Sequence, residues 1–114
     1  GSNVYLNTTN INYIADSGSG TLDSSQCYYY KVGKTVSVHF NYSTGITVST
    51  ASTWTTLTTL PSGYRPQNTV YFTACNFASA GFLLMKINTS GLVSIWPTST
   101  GTYEPYAQVT FLIA

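Results

Sequence analysis

Residues 35–43 read TVSVHFNYS. Val36, Val38, Phe40 and Tyr42 fall on one side of this run, and Ser37, His39, Asn41 and Ser43 on the other. That period-two alternation is the signature of a half-buried β-strand. Extended backward, CYYYKVGKTVSV (27–38) becomes two strands joined by a tight turn at Gly33 and Lys34. Further along, TVYFTA (69–74) sets Val70, Phe72 and Ala74 against Tyr71, Thr73 and Cys75. GFLLMKINTSGLVSIW (81–96) reads as a second hairpin turning at 88–91. The closing YAQVTFLIA (106–114) looks apolar on both faces, which suits a strand held between two sheets or against a neighbouring subunit. Because that strand runs to the last residue, the domain is expected to close the native polypeptide.

No segment keeps a helical period. Short strands at near-regular spacing, punctuated by Gly, Pro, Asn and Ser, imply an all-β fold, an antiparallel β-sandwich or jelly-roll-like domain. The 114 residues make one domain, 3–114, after Gly1-Ser2, which reads as the remnant of a cleaved expression tag. Residues 3–26 are less regular and Ser/Gly-rich toward their end, so an edge strand followed by a loop is expected there.

Only 6% of the residues are charged, against about 25% in an ordinary soluble domain. Hydroxyls and amides must supply the solvation. A net charge of +1 leaves no electrostatic footprint for nucleic acid, and no segment suits membrane insertion. A charge-poor chain with 15% aromatic residues has the composition of subunit interfaces, so a homo-oligomer is expected. Cys27 and Cys75 are read as reduced, structural cysteines, and no Cys/His spacing suggests zinc or another metal.

Catalysis has little to draw on. The acids are Asp16, Asp23 and Glu104, and His39 is the single histidine. A glycosidase needs two carboxylates at a set separation, which leaves Asp23 with Glu104. A nucleophilic triad would need His39 as base, yet no nucleophile elbow or phosphate-binding glycine loop is present. No enzyme activity and no cofactor are expected. The aromatic residues carry more information. Flat rings beside hydroxyls and amides suit sugars, whose C–H faces stack while their hydroxyls need partners. The candidates are Trp54, Trp96, Tyr103 and Tyr106, with His39, Asn41, Asn76 and Glu104 as hydrogen-bonding neighbours. Each could instead fill the core or a subunit contact. The sequons at Asn7, Asn41 and Asn88 are expected by chance in so Asn-, Ser- and Thr-rich a chain.

Between two strand-like runs lies LPSGYRP (60–66), which contains the only arginine. Pro61 fixes φ on entry, Gly63 is free to take φ > 0, and Pro66 pushes Arg65 toward an extended backbone. The segment is therefore a rigid crossover, with Arg65 expected to lock the turn or a subunit contact.

The order CYYYKVGKTVSVHFNYS, TWTTLTTLPSGYRP, VYFTA, GFLLMKINTSGLVSI, VTFLIA resembles the C-terminal head domains of phage tail fibres and baseplate receptor-binding proteins. LPSGYRP is the most specific element of the likeness, which begins near Cys27. The resemblance implies a homotrimeric β-sandwich head at the tail tip of a virion, assembled in the bacterial host cytoplasm. Residues 3–26 would then lead in from an upstream shaft, and the partner would be a host cell-surface saccharide. No motif of the resemblance maps that saccharide site onto particular residues here. Charge-poor trimeric caps of collagen-like stalks, similar to complement- and tumour-necrosis-factor-like jelly rolls, are the neighbouring reading. A ligand-free trimerisation cap, a stand-alone carbohydrate-binding module and a fibre-borne glycan hydrolase are the functional alternatives.

Overall fold

The computed structural model describes residues 17–113. These residues form ten strands and no helix: β1 Gly18–Leu22, β2 Cys27–Val32, β3 Thr35–Asn41, β4 Ile46–Val48, β5 Thr55–Thr59, β6 Val70–Asn76, β7 Gly81–Ile87, β8 Leu92–Trp96, β9 Gly101–Tyr103 and β10 Pro105–Leu112. All pairings are antiparallel. Eight strands run in the order β1-β2-β3-β10-β6-β7-β8-β5, and β4 pairs with β9 in a small second sheet.

The large sheet is continuous but divides at one place. β10 follows β3 from Tyr106↔Asn41 to Leu112↔Thr35, yet meets β6 only at Pro105↔Asn76 and Tyr106↔Cys75. Beyond that corner the leaf β1-β2-β3-β10 and the leaf β6-β7-β8-β5 part and fold over one another. Phe40 of β3 and Phe72 of β6 face each other across the gap, ring centroids 5.7 Å apart and nearly parallel. The opposite end is drawn together by the Pro66↔Ile113 bridge and by Gln67 N–H donating to Leu112 C=O at 2.9 Å. The result is a nearly barrel-like antiparallel fold of the β-sandwich or jelly-roll kind.

The alternation in residues 35–43 explains how one face was chosen: Val36, Val38, Phe40 and Tyr42 are all buried. Ala74 of β6, Leu83, Met85 and Ile87 of β7, and Val93 and Ile95 of β8 complete the same core from the other leaf. Each such aliphatic side chain stabilises the fold by roughly 1.5–3 kcal/mol through removal from water.

Two segments refine the sequence reading. Within 3–26, where an edge strand and then a loop were expected, GSGTL is the edge strand β1 and a turn follows it at 23–26. Two of the strand's three inward positions are glycines, Gly18 and Gly20, because a Cβ at either would collide with the hydroxyl of Tyr64 or Tyr29; the third is Leu22, packed on the core. A strand that buries backbone against aromatic hydroxyls carries no apolar alternation to detect. The second is β10, which is not apolar on both faces: Gln108, Thr110 and Leu112 are exposed while Phe111 is buried. It is a central strand with one solvated face. The part of 3–26 before residue 17, with Asn7 and Asp16, lies outside the described residues.

The LPSGYRP segment closes the crossover from β5 to β6. Gly63 has φ 92°, and Leu60 is fully buried. Leu60 N–H donates to Gly91 C=O at 2.8 Å, and Arg65 Nε–H donates to Leu60 C=O at 2.9 Å. Tyr64 packs edge-on against Tyr29, and Lys31 Nζ lies 4.8 Å above the Tyr64 ring. Arg65 Nε–H thus braces its own turn, and the Leu60 bond ties the start of the crossover to the β7–β8 hairpin.

Candidate functional site

Because β-strand side chains alternate between faces, the residues not used in the core form a continuous outer surface. On the β6–β7–β8 leaf this surface is rich in apolar groups. Cross-strand registers set Tyr71 opposite Lys86, Thr73 opposite Leu84, Cys75 opposite Phe82, and Leu84 opposite Trp96. Tyr71, Phe82 and Leu84 are exposed, and Phe82 keeps 81% of its surface in solvent.

Trp54 reaches this face from the segment before β5. Ser52 N–H donates to Pro97 C=O at 2.8 Å, pinning that segment beside the end of β8. The Trp54 ring then lies 5.2 Å from Trp96, edge to face, and 6.2 Å from Tyr71 at a tilt of 50°. Lys86 Nζ sits 4.4 Å over the Trp54 ring, a cation–π contact that holds the indole while the ammonium stays wet. The three rings make an angular aromatic platform beside one amine and the threonines of β5 and β6. Such a surface offers stacking faces and hydrogen-bond donors together, with no enclosing wall.

The remaining candidates are distributed elsewhere. His39, half-buried on β3, lies between Tyr28 and Tyr30, stacked on Tyr30 at 5.8 Å and edge-on to Tyr28 at 6.1 Å. This second cluster belongs to the other leaf. Tyr106 stacks on Phe77 at 4.3 Å with 11° between the rings. Tyr103 is buried, and its hydroxyl donates to Ser99 C=O at 2.7 Å while accepting from Ser99 N–H at 3.1 Å. That phenol clasps the loop between β8 and β9. Glu104 N–H donates to Asn76 Oδ1 at 2.9 Å. Asn76 also accepts from Ala78 N–H and donates to Ser79 Oγ, so its amide organises the β6–β7 turn. Asn41 is exposed at the end of β3.

Thus Trp54 and Trp96 come together, whereas His39, Tyr103, Glu104 and Tyr106 stand apart from them. Tyr71, Lys86 and Phe82 were missed as site residues. The same alternation that placed Val70 and Phe72 differently marks Tyr71 as outward, and FLLMKI repeats it with Phe82, Leu84 and Lys86.

Polar chemistry elsewhere is structural. The Asp23 carboxylate accepts a 2.6 Å hydrogen bond from the Tyr42 hydroxyl. Burial, reinforced by that bond, pushes the Tyr42 phenol above its ordinary range. Burial, with the Asp23 charge adding to it, pushes the Cys27 thiol up to about 12. Both cysteines are free; Cys27 is buried and Cys75 is exposed on the outer face. Among the described residues, no three His, Cys, Asp or Glu side chains gather in a metal-binding group.

No protein-family model matches the chain, and no curated protein is significantly similar to it.

Proposed function

We propose that this chain is the non-enzymatic, saccharide-binding head of a homotrimeric phage tail fibre or baseplate protein, displayed at the virion tail tip beyond an upstream shaft. The observation that carries the reading is the Trp54–Trp96–Tyr71 platform, three large aromatic rings held on a solvated sheet face with Lys86 beside them. Burying such rings in a core would yield more stability, so their position at the surface calls for a ligand. Sugar C–H faces suit tilted indole and phenol rings, and threonine hydroxyls suit the sugar's rim. The scarcity of charge on this leaf fits a ligand recognised by stacking and neutral hydrogen bonds.

A single open platform binds weakly, around millimolar, equivalent to about −4 kcal/mol. Three heads on a fibre and many fibres on a virion raise the effective affinity by two to four orders of magnitude without new contacts.

The test is a saccharide array followed by titration calorimetry on the best ligand, comparing the wild-type chain with Trp54→Ala. Trp54→Ala is expected to weaken binding at least tenfold while the melting temperature moves little, and the wild type is expected to release no reducing sugar. Equal binding by the two proteins would remove the platform from the argument.

A further inference from the structure

We infer that the binding face continues past the platform, along β7 and β8, to Phe82 and the cleft beside it, so that the ligand is an internal stretch of a linear polysaccharide rather than one terminal sugar. This inference rests on the saccharide reading above. Phe82, Leu84 and Lys86 project from the same side of β7, and Trp96 stands opposite Leu84. At a strand rise of about 3.3 Å per residue, the line from Phe82 to Lys86 is about 13 Å long. That is longer than one sugar ring. One end is the aromatic Phe82, the other is Lys86 with its Nζ 4.4 Å over the Trp54 ring, and the middle is the exposed Leu84 with the half-buried Trp96.

The far end is built differently from the platform. Next to Phe82 is a cleft of about 150 Å³ lined by Ser79, Thr98, Ser99, Thr100 and Thr102. Hydroxyls therefore surround the single most exposed aromatic ring of the face. Thr98 follows Trp96 by one buried proline, Pro97, so the cleft and the platform are joined by a stiff link. No charged side chain lines the cleft, which matches neutral sugar units at this end. The recognition groups are strung along the strand from Lys86 to Phe82 and its cleft rather than gathered round one point, which suits an extended ligand. An end-capturing site would need an enclosing pocket instead.

The experiment uses linear glucose, galactose and N-acetylglucosamine oligomers of one to six rings, each titrated against the wild-type chain, Phe82→Ala and Trp54→Ala. Wild-type affinity is expected to rise at least tenfold between one ring and four. Phe82→Ala should erase that gain with length while leaving the one-ring affinity and the melting temperature in place. Affinity independent of length, with Phe82→Ala matching wild type, overturns the extended face and leaves the platform standing. Failure of every series to bind wild type overturns the saccharide reading and the inference together. A change in solution mass of Phe82→Ser by light scattering assigns Phe82 to contact between copies and also overturns it.

Discussion

The clasp at Leu60, Arg65 and Gly91 and the platform at Trp54, Trp96 and Tyr71 are built on opposite principles. In the clasp the backbone of one buried residue is fully paired. Leu60 uses both its N–H and its C=O, one to Gly91 and one from Arg65, inside a fully buried environment. On the platform the rings touch one another at tilts of 50° and 66° and leave stacking surface to solvent. The Nε–H of the chain's single arginine is given to a backbone carbonyl. The tryptophans that a core could have absorbed are held outside. Stability and recognition therefore rest on separate atoms, and substitutions should separate them: changes in the clasp move the unfolding transition, and changes on the platform move binding.

The largest expected effect breaks the clasp from its glycine. Gly91 is buried at φ 84°, and a Cβ there would stand 2.7 Å from Leu60 O and 2.8 Å from Arg65 Nε. Left-handed backbone costs a non-glycine residue roughly 1–2 kcal/mol, and forcing an atom into packed surroundings costs about 1–3 kcal/mol more. Gly91→Ala is expected to lose about 3 kcal/mol in urea unfolding, with saccharide affinity per folded molecule unchanged. A parallel loss of affinity would show that the two regions are coupled.

Arg65→Ala sharpens the same point with a smaller effect. It leaves the buried Leu60 carbonyl without its charged donor, a loss of roughly 1.5–3 kcal/mol for a hydrogen bond of this kind. A drop of about 2 kcal/mol in unfolding free energy, with saccharide binding intact, is the expected result. Lost binding at unchanged stability would make Arg65 a ligand residue and erase the contrast.

Much of this division was legible in the residues, and the limits have physical reasons. Alternation in 35–43 and 69–76 revealed the core faces because those strands have one wet side. It failed for GSGTL, two of whose inward positions must be glycine to admit the Tyr64 and Tyr29 hydroxyls. The rigidity of LPSGYRP could be read from its prolines, but not the identity of the acceptor, since Leu60 is positioned by a backbone bond to Gly91, far along the chain. Trp54 and Trp96 stood out as aromatic. Their meeting depends on a backbone bond from Ser52 to Pro97 that no local pattern announces.

The smallest expected effect comes from a third place, the corner where the buried Cys27 and Tyr42 lie beside the exposed Asp23. In the unfolded chain the Cys27 thiol has its ordinary value of 9.0, and in the fold burial, then the Asp23 charge, raise it to about 12. The folded state thus favours the protonated thiol. Its contribution is whole below pH 9 and is lost as pH rises toward 12. Tyr42 is raised in the same sense from 10.0, by burial first and by its bond to Asp23 next, so its share of the loss begins about one pH unit later. Between pH 9 and 10 the thiol dominates, and stability should fall by about 1 kcal/mol over that interval. Cys27→Ala should start less stable at pH 7 yet show a flatter slope from 9 to 10. An unchanged slope would place the alkaline loss on another group. Neither the clasp nor the three rings of the platform include this thiol. Saccharide affinity per folded molecule should therefore hold steady across the interval, even as the folded fraction declines.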